Sequence, residues 1–329
     1  MKKLIFLFLL LPILNHAQKT FYGKEPLAHT YSIVAIDEET GEMGVAVQSH
    51  WFSVGSLVTW GEAGVGVVAT QSFVNPAYGP NGLTLLKMGF SAEEALKVLL
   101  EKDEGRDVRQ VAILDANGNV AVHTGKSCIE AAGHVKGKGF SVQANLMEND
   151  KVWPAMANAF ADSKGEPLAE RMMSAMEAAQ DVGGDIRGKQ SAAILVVKAK
   201  STGNSWEDRS VDLRIEDHAE PIKEMRRLLK VHRAYEHMNK GDLAVEHNDI
   251  DLAMKEYGAA EALFPENEEM KYWHALTLLN VGETEKGMAL LKQVYNKNAK
   301  WSMLTPRLTK NGLLTVEGEV LKQVLGLGK

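Results

Sequence analysis

The chain has 329 residues, 45% hydrophobic and 24% charged, enough apolar material for one large or two modest globular domains. Its 37 basic and 43 acidic residues leave a net charge of −6, which argues against general nucleic-acid binding. A single cysteine, Cys128, excludes an internal disulfide, so stability must come from packing. Cys128 reads as a small buried apolar residue rather than a reactive thiol. Zinc-protease and phosphate-loop signatures are absent, and no cofactor is expected.

Lys2 and Lys3 precede an apolar run from Leu4 to Leu14, followed by Asn15-His16-Ala17. This pattern predicts a secretory signal peptide over residues 1–17, too short for a membrane span. The expected protein is exported, periplasmic or secreted, with no membrane span after cleavage. Residues 18–29 are polar, with Gly23 and Pro26, and read as a linker or propeptide.

Thr30-Tyr31-Ser32-Ile33-Val34-Ala35 opens a strand, Glu38-Glu39-Thr40-Gly41 turns the chain, and Met43 to Gln48 returns. Further apolar runs fill Ala63 to Gln71, and Gly79-Pro80-Asn81-Gly82 suggests a break. Ser91 and Glu94 form a capping box ahead of Ala95, Leu96, Leu99 and Leu100. Val108 to Leu114 and Val120 to His123 flank an Asn117-Gly118 hairpin turn. Short strands fit around Gly133-His134 and Phe140 to Asn145. Helices over 151–161 and 167–180 precede strands over 190–197 and 210–215. Hairpin-linked strands imply antiparallel sheets. Two such sheets with helices outside would bury both faces of each sheet, giving an α+β fold of four layers, αββα, over residues 30–217. The alternative is one open sheet with helices on one face.

Residues 218–329 are helical in pattern and rich in Leu, Ala, Lys and Glu. Ala253 and Gly287 are 34 residues apart, as are Tyr257 and Leu291, a tetratricopeptide-like period. This covers one to two repeats, which suits a helical tail packed on the main domain or a small protein-contact module.

Thr30 is the candidate for chemistry. If the chain is cut before it, one residue carries both a hydroxyl and a free α-amine with an ordinary pKa of about 7.7–8.0. The amine can then take the hydroxyl proton and activate a weak nucleophile. Threonine is also simply common in strands.

Several other residues carry two readings each. Gln71, Asn75 and Asn145 sit at strand ends or in loops, where they can aim donors at an oxyanion or satisfy local backbone. Asp185 and Arg187 can bind a substrate carboxylate or amine, or hold the Gly183-Gly184 turn. His50 is the only basic side chain between Tyr31 and Thr84. His123 and His134 can pair across adjacent strands, but no third metal ligand is placed by spacing. Trp51, Phe52, Trp60 and Tyr78 read as core rather than as a sugar-stacking platform.

Together, Thr30 to Ala35, Gly44-Val45-Ala46-Val47-Gln48-Ser49, Ala69-Thr70-Gln71 and Asn75-Pro76-Ala77-Tyr78-Gly79 resemble the "domain of unknown function 1028" family. So do His123-Thr124-Gly125, Ala132-Gly133-His134, Gln143-Ala144-Asn145 and the run from Gly183 to Ala192. The resemblance spans residues 30 to 240 and implies a fold similar to N-terminal-nucleophile hydrolases. It also implies that Thr30 stands where the terminal threonine of proteasome-like hydrolases stands, with Ser32 two residues on. In some members the C-terminal segment is described as peptidoglycan-binding. Two departures stand out: His29 precedes the cut where self-cleaving relatives carry glycine, and no lysine lies between Tyr31 and Thr84.

The resulting expectation is an amidohydrolase acting on a small amide, a peptide or a peptidoglycan fragment. Thr30 and Ser32 would be catalytic, with His50, Gln71, Asn75, Asn145, Asp185 and Arg187 at the substrate. The alternative is a non-catalytic binding protein that uses its tail to hold a protein or peptidoglycan.

Overall fold

The computed structural model describes residues 27–328, so the expected signal peptide and residues 18–26 lie outside it. A two-residue strand, β1 (Leu27–Ala28), leads into β2 (Thr30–Ile36) and β3 (Met43–Ser49). A short helix, α1 (Gly55–Val58), precedes β4 (Thr59–Glu62) and β5 (Gly66–Phe73). Helices α2 (Tyr78–Lys87) and α3 (Ala92–Lys102) follow. Then come β6 (Arg109–Asp115), β7 (Val120–Thr124), β8 (Gly133–Gly137) and β9 (Phe140–Ala144). Helices α4 (Val152–Asp162) and α5 (Leu168–Asp181) lead to β10 (Ser191–Val197) and β11 (Arg209–Ile215).

The strands form two antiparallel sheets. One runs β1-β5-β6-β7 with β4 also on β5, and the other runs β11-β10-β3-β2-β9-β8. Period-two alternation decides what each face meets. Val34, Val45, Val47, Val67, Ala69, Ala112, Leu114 and Leu195 meet in one apolar cluster between the sheets. The opposite faces of β2 and β10 place Tyr31, Ile33 and Ile194 against Met156, Phe160, Met172 and Met176 of α4 and α5. Val68, Val111 and Ile113 pack on Leu83, Leu86 and Leu96 of α2 and α3. The capping box forms as expected: Ser91 accepts from the Glu94 amide, and Glu94 accepts from the Ser91 amide.

One local expectation is corrected. Helix α2 runs straight through Gly79-Pro80-Asn81-Gly82, where the sequence suggests a break. Pro80 lies in the first turn, where its missing N–H leaves no helical hydrogen bond unmade. Gly79 is there for contact: a Cβ would lie 2.2 Å from Cγ of Trp60. Trp60 and Tyr78 thus belong to the α2–α3 core, while Phe52 is 63% exposed.

Six helices complete the described chain: α6 (Pro221–Glu246), α7 (Ile250–Leu263), α8 (Glu268–Asn280), α9 (Thr284–Lys297), α10 (Lys300–Leu308) and α11 (Gly318–Gly326). Helix α6 begins in the first domain's core through Ile222, Met225 and Leu229. It ends in a second core, where Ala234, Met238 and Ala244 meet Tyr257 and Ala260 of α7. Helices α7 and α9 start and stop 34 residues apart, with Tyr257 and Leu276 buried and Leu263 half-buried between helices. Among the described residues no helix is long and apolar enough to cross a membrane.

The Gly79 contact makes a direct prediction. Gly79→Ala must push the Trp60 ring or lift α2, so unfolding in urea should show a loss of about 2 kcal/mol. Gly89→Ala is a poor control because its φ is +91°, whereas Gly258 is helical with nothing near its Cβ position. Gly258→Ala should therefore be neutral or stabilising.

Candidate functional site

Thr30 and Ser32 occupy the face of β2 that looks toward the other sheet, continuing the line of Val34. At this end of the sandwich the inter-sheet space is polar. Thr30, Ser32, Ser49, Gln71, Gln110, Gln143 and Asn145 are all completely buried. Polar groups so placed need partners within the protein, since each one left unpaired costs about 1–3 kcal/mol; among these side chains only Gln71 Oε1 has none. Gln110 is the centre of the network. Its Oε1 accepts from Gln71 Nε2 at 2.7 Å and from Asn145 Nδ2 at 2.9 Å. Its Nε2 donates to Thr124 Oγ1 and to the Ala144 carbonyl, both at 2.9 Å. Gln71 and the Asn145 amide in turn donate to the Thr30 carbonyl, at 3.2 and 3.1 Å. Ser32 Oγ accepts from Gln143 Nε2 at 2.6 Å.

The peptide bond between His29 and Thr30 is held from several sides. The His29 carbonyl accepts from Ser49 Oγ at 2.5 Å and from Arg187 Nη2 at 2.7 Å. The Thr30 hydroxyl donates to the Ala28 carbonyl at 2.7 Å. Arg187 is fixed by a forked pair with Asp185, Nε to Oδ1 at 3.0 Å and Nη2 to Oδ2 at 2.7 Å. The Asp185 side chain is fully buried and also accepts from the His50 amide at 3.1 Å. A planar fork on a buried carboxylate leaves the guanidinium little freedom to wander. Arg187, from the turn before β10, thus brings a cation to the His29 carbonyl.

Residue 29 is buried too. Its Nδ1 lies 2.8 Å from Asn145 Oδ1, an acceptor, so the imidazole donates there and keeps Nε2 bare. The ring packs edge-on to Phe73, with centroids 5.4 Å apart. Burial pushes the His29 pKa down; the Asn145 bond partly opposes this, and the nearby Arg187 charge adds to it. Burial likewise raises the Tyr31 hydroxyl well above its usual value, aided by the charge of Asp185. Two non-glycine residues with positive φ flank the network: Ser72 at +77° follows Gln71, and Leu146 at +58° follows Asn145. Such strain persists only where surrounding contacts over-determine the backbone, and it gathers at functional sites.

The structure brings Thr30, Ser32, Gln71, Asn145, Asp185 and Arg187 together. It does not bring Asn75, whose side chain accepts from the Ala77 amide and whose carbonyl accepts from Thr70 Oγ1. His50 contributes its amide to Asp185, while the residue itself is exposed. Asp185 and Arg187 combine their two readings, a turn-holding pair that also reaches the His29 carbonyl. His123 and His134 bond separately, to the Arg106 carbonyl and to Thr124 Oγ1. No group of three or more His, Cys, Asp or Glu side chains among the described residues could hold a metal ion. The sequence reading misses Ser49, Gln110 and Gln143. Ser49 and Gln143 lie in strings that carry the family resemblance, and the local signal for all three is a polar residue on a strand face that is otherwise apolar.

The profile of the family of unknown function DUF1028 matches residues 30–225. The chain belongs to this family. A crystal structure of a DUF1028 protein from Silicibacter pomeroyi is similar at 30% identity and a TM-score of 0.56, covering 62% of this chain and 85% of that one. A remoter likeness is to Anbu, the ancestral beta-subunit, from Yersinia bercovieri, at 13% identity and a TM-score of 0.31, over 60% of this chain and 92% of that one. No curated protein matches the sequence. The DUF1028 match begins at Thr30 and takes in every residue that touches the 29–30 peptide bond from its C-terminal side.

Two outcomes are expected from this geometry. Gln110→Leu removes the acceptor shared by Gln71 and Asn145, so it should cost about 3 kcal/mol in urea unfolding while Gln110→Glu costs less. His29 binds protons less readily folded than unfolded, where its pKa is about 6.5. Its contribution is therefore present above that value and is lost as pH falls through the lower, folded one. In protein whose 29–30 bond is intact, urea midpoints should drop between pH 7.5 and 5.5. His29→Gln in the same uncut form should flatten that drop.

Proposed function

We propose that this protein is an exported amidohydrolase of the N-terminal-nucleophile type, built on an αββα sandwich over residues 30–217, in which the chain cuts its own 29–30 bond. The observation that carries the reading is the paired donation to the His29 carbonyl by Ser49 Oγ and Arg187 Nη2. Those two donors sit where negative charge would develop if Thr30 attacked that carbonyl, the arrangement that stabilises an oxyanion.

The steps follow from these atoms. Thr30 Oγ leaves the Ala28 carbonyl and adds to the His29 carbonyl carbon. The hydroxyl proton passes to the Thr30 nitrogen as the C–N bond breaks. An ester now joins His29 to Thr30 Oγ, and Thr30 has a free α-amine. Water hydrolyses the ester and releases the preceding segment with a His29 carboxylate. In the mature enzyme the α-amine takes the hydroxyl proton, Thr30 attacks a substrate amide, and the same proton goes to the departing amine. Water then hydrolyses the acyl-ester, releasing the acid and restoring the Thr30 hydroxyl. Gln71 and Asn145 hold the Thr30 carbonyl, and so fix the nucleophile's backbone.

His29 in place of glycine is compatible with this scheme because the ring has its own berth against Phe73 and Asn145. The substrate is a small amide or peptide, including one derived from the cell wall. The helical region from residue 218 is tetratricopeptide-like in its 34-residue offset and would hold a protein or peptidoglycan partner. Export rests on the Lys2-Lys3 and Leu4–Leu14 pattern.

Intact mass of exported protein should show a chain beginning at Thr30. Thr30→Ala should stay uncut, and Thr30→Ser should still be cut. Ser49→Ala and Arg187→Lys should each slow the cut about 10²-fold, as expected for loss of one oxyanion donor. A chain that stays joined at residues 29 and 30 under all conditions would sink the mechanism and favour the non-catalytic binding protein.

A further inference from the structure

Strand β5 is paired unevenly along one edge. Strand β4 covers it only from Gly66 to Ala69, and the stretch at Ser72 and Phe73 is paired instead by β1, through Leu27↔Phe73 and Ala28↔Ser72. That two-residue ladder is all that the described part of the leader contributes to the sheet. Ala28 and His29 are nonetheless seated deeply. Ala28 is 0% exposed and joins the inter-sheet apolar cluster. His29 is 3% exposed, stacks edge-on to Phe73 and donates to Asn145 Oδ1. The Phe73 carbonyl is itself pinned by Arg109 Nη1 at 2.5 Å, with Arg109 Nε on Asp103 at 2.8 Å.

The geometry points to residues 27–29 as the first occupant of the enzyme's own substrate cleft, which therefore takes the acyl side of an extended peptide. This rests on Thr30 being the nucleophile. Once the 29–30 bond is cut, residues 27–29 are no longer tethered to Thr30, and departure opens the β5 edge. An incoming peptide adds there as a strand, its backbone pairing with Ser72 and Phe73 in the register of Leu27 and Ala28. Its last acyl residue then takes the place of His29, with its carbonyl between Ser49 and Arg187. The residue before it takes the place of Ala28, where only a small side chain fits inside the closed apolar cluster. At the His29 position the wall offers an aromatic face and one acceptor oxygen. It favours a ring that donates a hydrogen bond and disfavours a carboxylate, which would meet Asn145 Oδ1 with no proton to give.

The test uses the full-length processed protein and three chromogenic anilides: acetyl-Leu-Ala-His, acetyl-Leu-Trp-His and acetyl-Leu-Ala-Asp. The first should be hydrolysed with a kcat/KM at least about tenfold above either of the others. Among Phe73→Ala chains that carry a free Thr30, the gap between the His and Asp peptides should narrow. A β-lactone with no peptide part, read by a mass shift on Thr30, reports the nucleophile separately. If Thr30 is free and labelled but the three anilides are turned over equally, or none is, the cleft assignment is overturned and the nucleophile reading stands. If Thr30 is never freed, both fall.

Discussion

Polar side chains sealed between two sheets have no water to fall back on, and one amide, Gln110, settles most of their needs. Its oxygen binds donors from β5 and from the end of β9, and its nitrogen reaches Thr124 and the Ala144 carbonyl. It thereby ties the two sheets together at the end where apolar packing stops. Farther along the same strands, Ala112 and Leu114 do this by burial alone. The trade is specific. Apolar contacts would hold the sheets as well, but they tolerate small slips. A network with directional donors and acceptors fixes the register of β2 against β5 and β9, and so the position of the Thr30 backbone.

Asp185 plays the matching part outside the sheets. Its fully buried carboxylate would be costly alone, and the Arg187 fork and the His50 amide satisfy it. The third use of the guanidinium, at the His29 carbonyl, depends on the first two. A free arginine would lose side-chain freedom to reach that oxygen, whereas this one is already in place.

The two-sheet pattern was legible because β2, β3 and β5 are short runs rich in small and β-branched apolar residues, and because Asn117-Gly118 and the Ser91 capping box have local physical causes. Helix α2 was not, since Gly79-Pro80 has the local chemistry of a turn, and the close packing of Gly79 on Trp60 is not visible in the local sequence. Strand β1 is two residues long and has no pattern of its own. At the site, Thr30 was legible from its place at the head of a strand, and Gln71 and Asn145 from their strand-end positions. Gln110 was not, because a glutamine inside Val108–Leu114 says nothing until its partners on three other segments are known. The reach of Arg187 to the His29 carbonyl, 158 residues away in sequence, is equally invisible to any local rule. Asn75 misled because a loop asparagine that caps a turn looks, in sequence, like one that waits for a ligand.

Helix α6 carries a mechanical consequence. It is 26 residues long, about 40 Å of continuous helix, and its two ends lie in different cores. Near its start, Arg226 is forked onto Glu177 of α5, and near its middle Arg233 is forked onto Glu170 of the same helix. The connection between the sheet body and the helical tail is thus a splinted shaft rather than a flexible leash. Whatever grips α8 to α11 takes hold of a lever whose other end is bolted beside α5. The bearing of the Thr30 end of the molecule is then coupled to that grip through α7 and the length of α6.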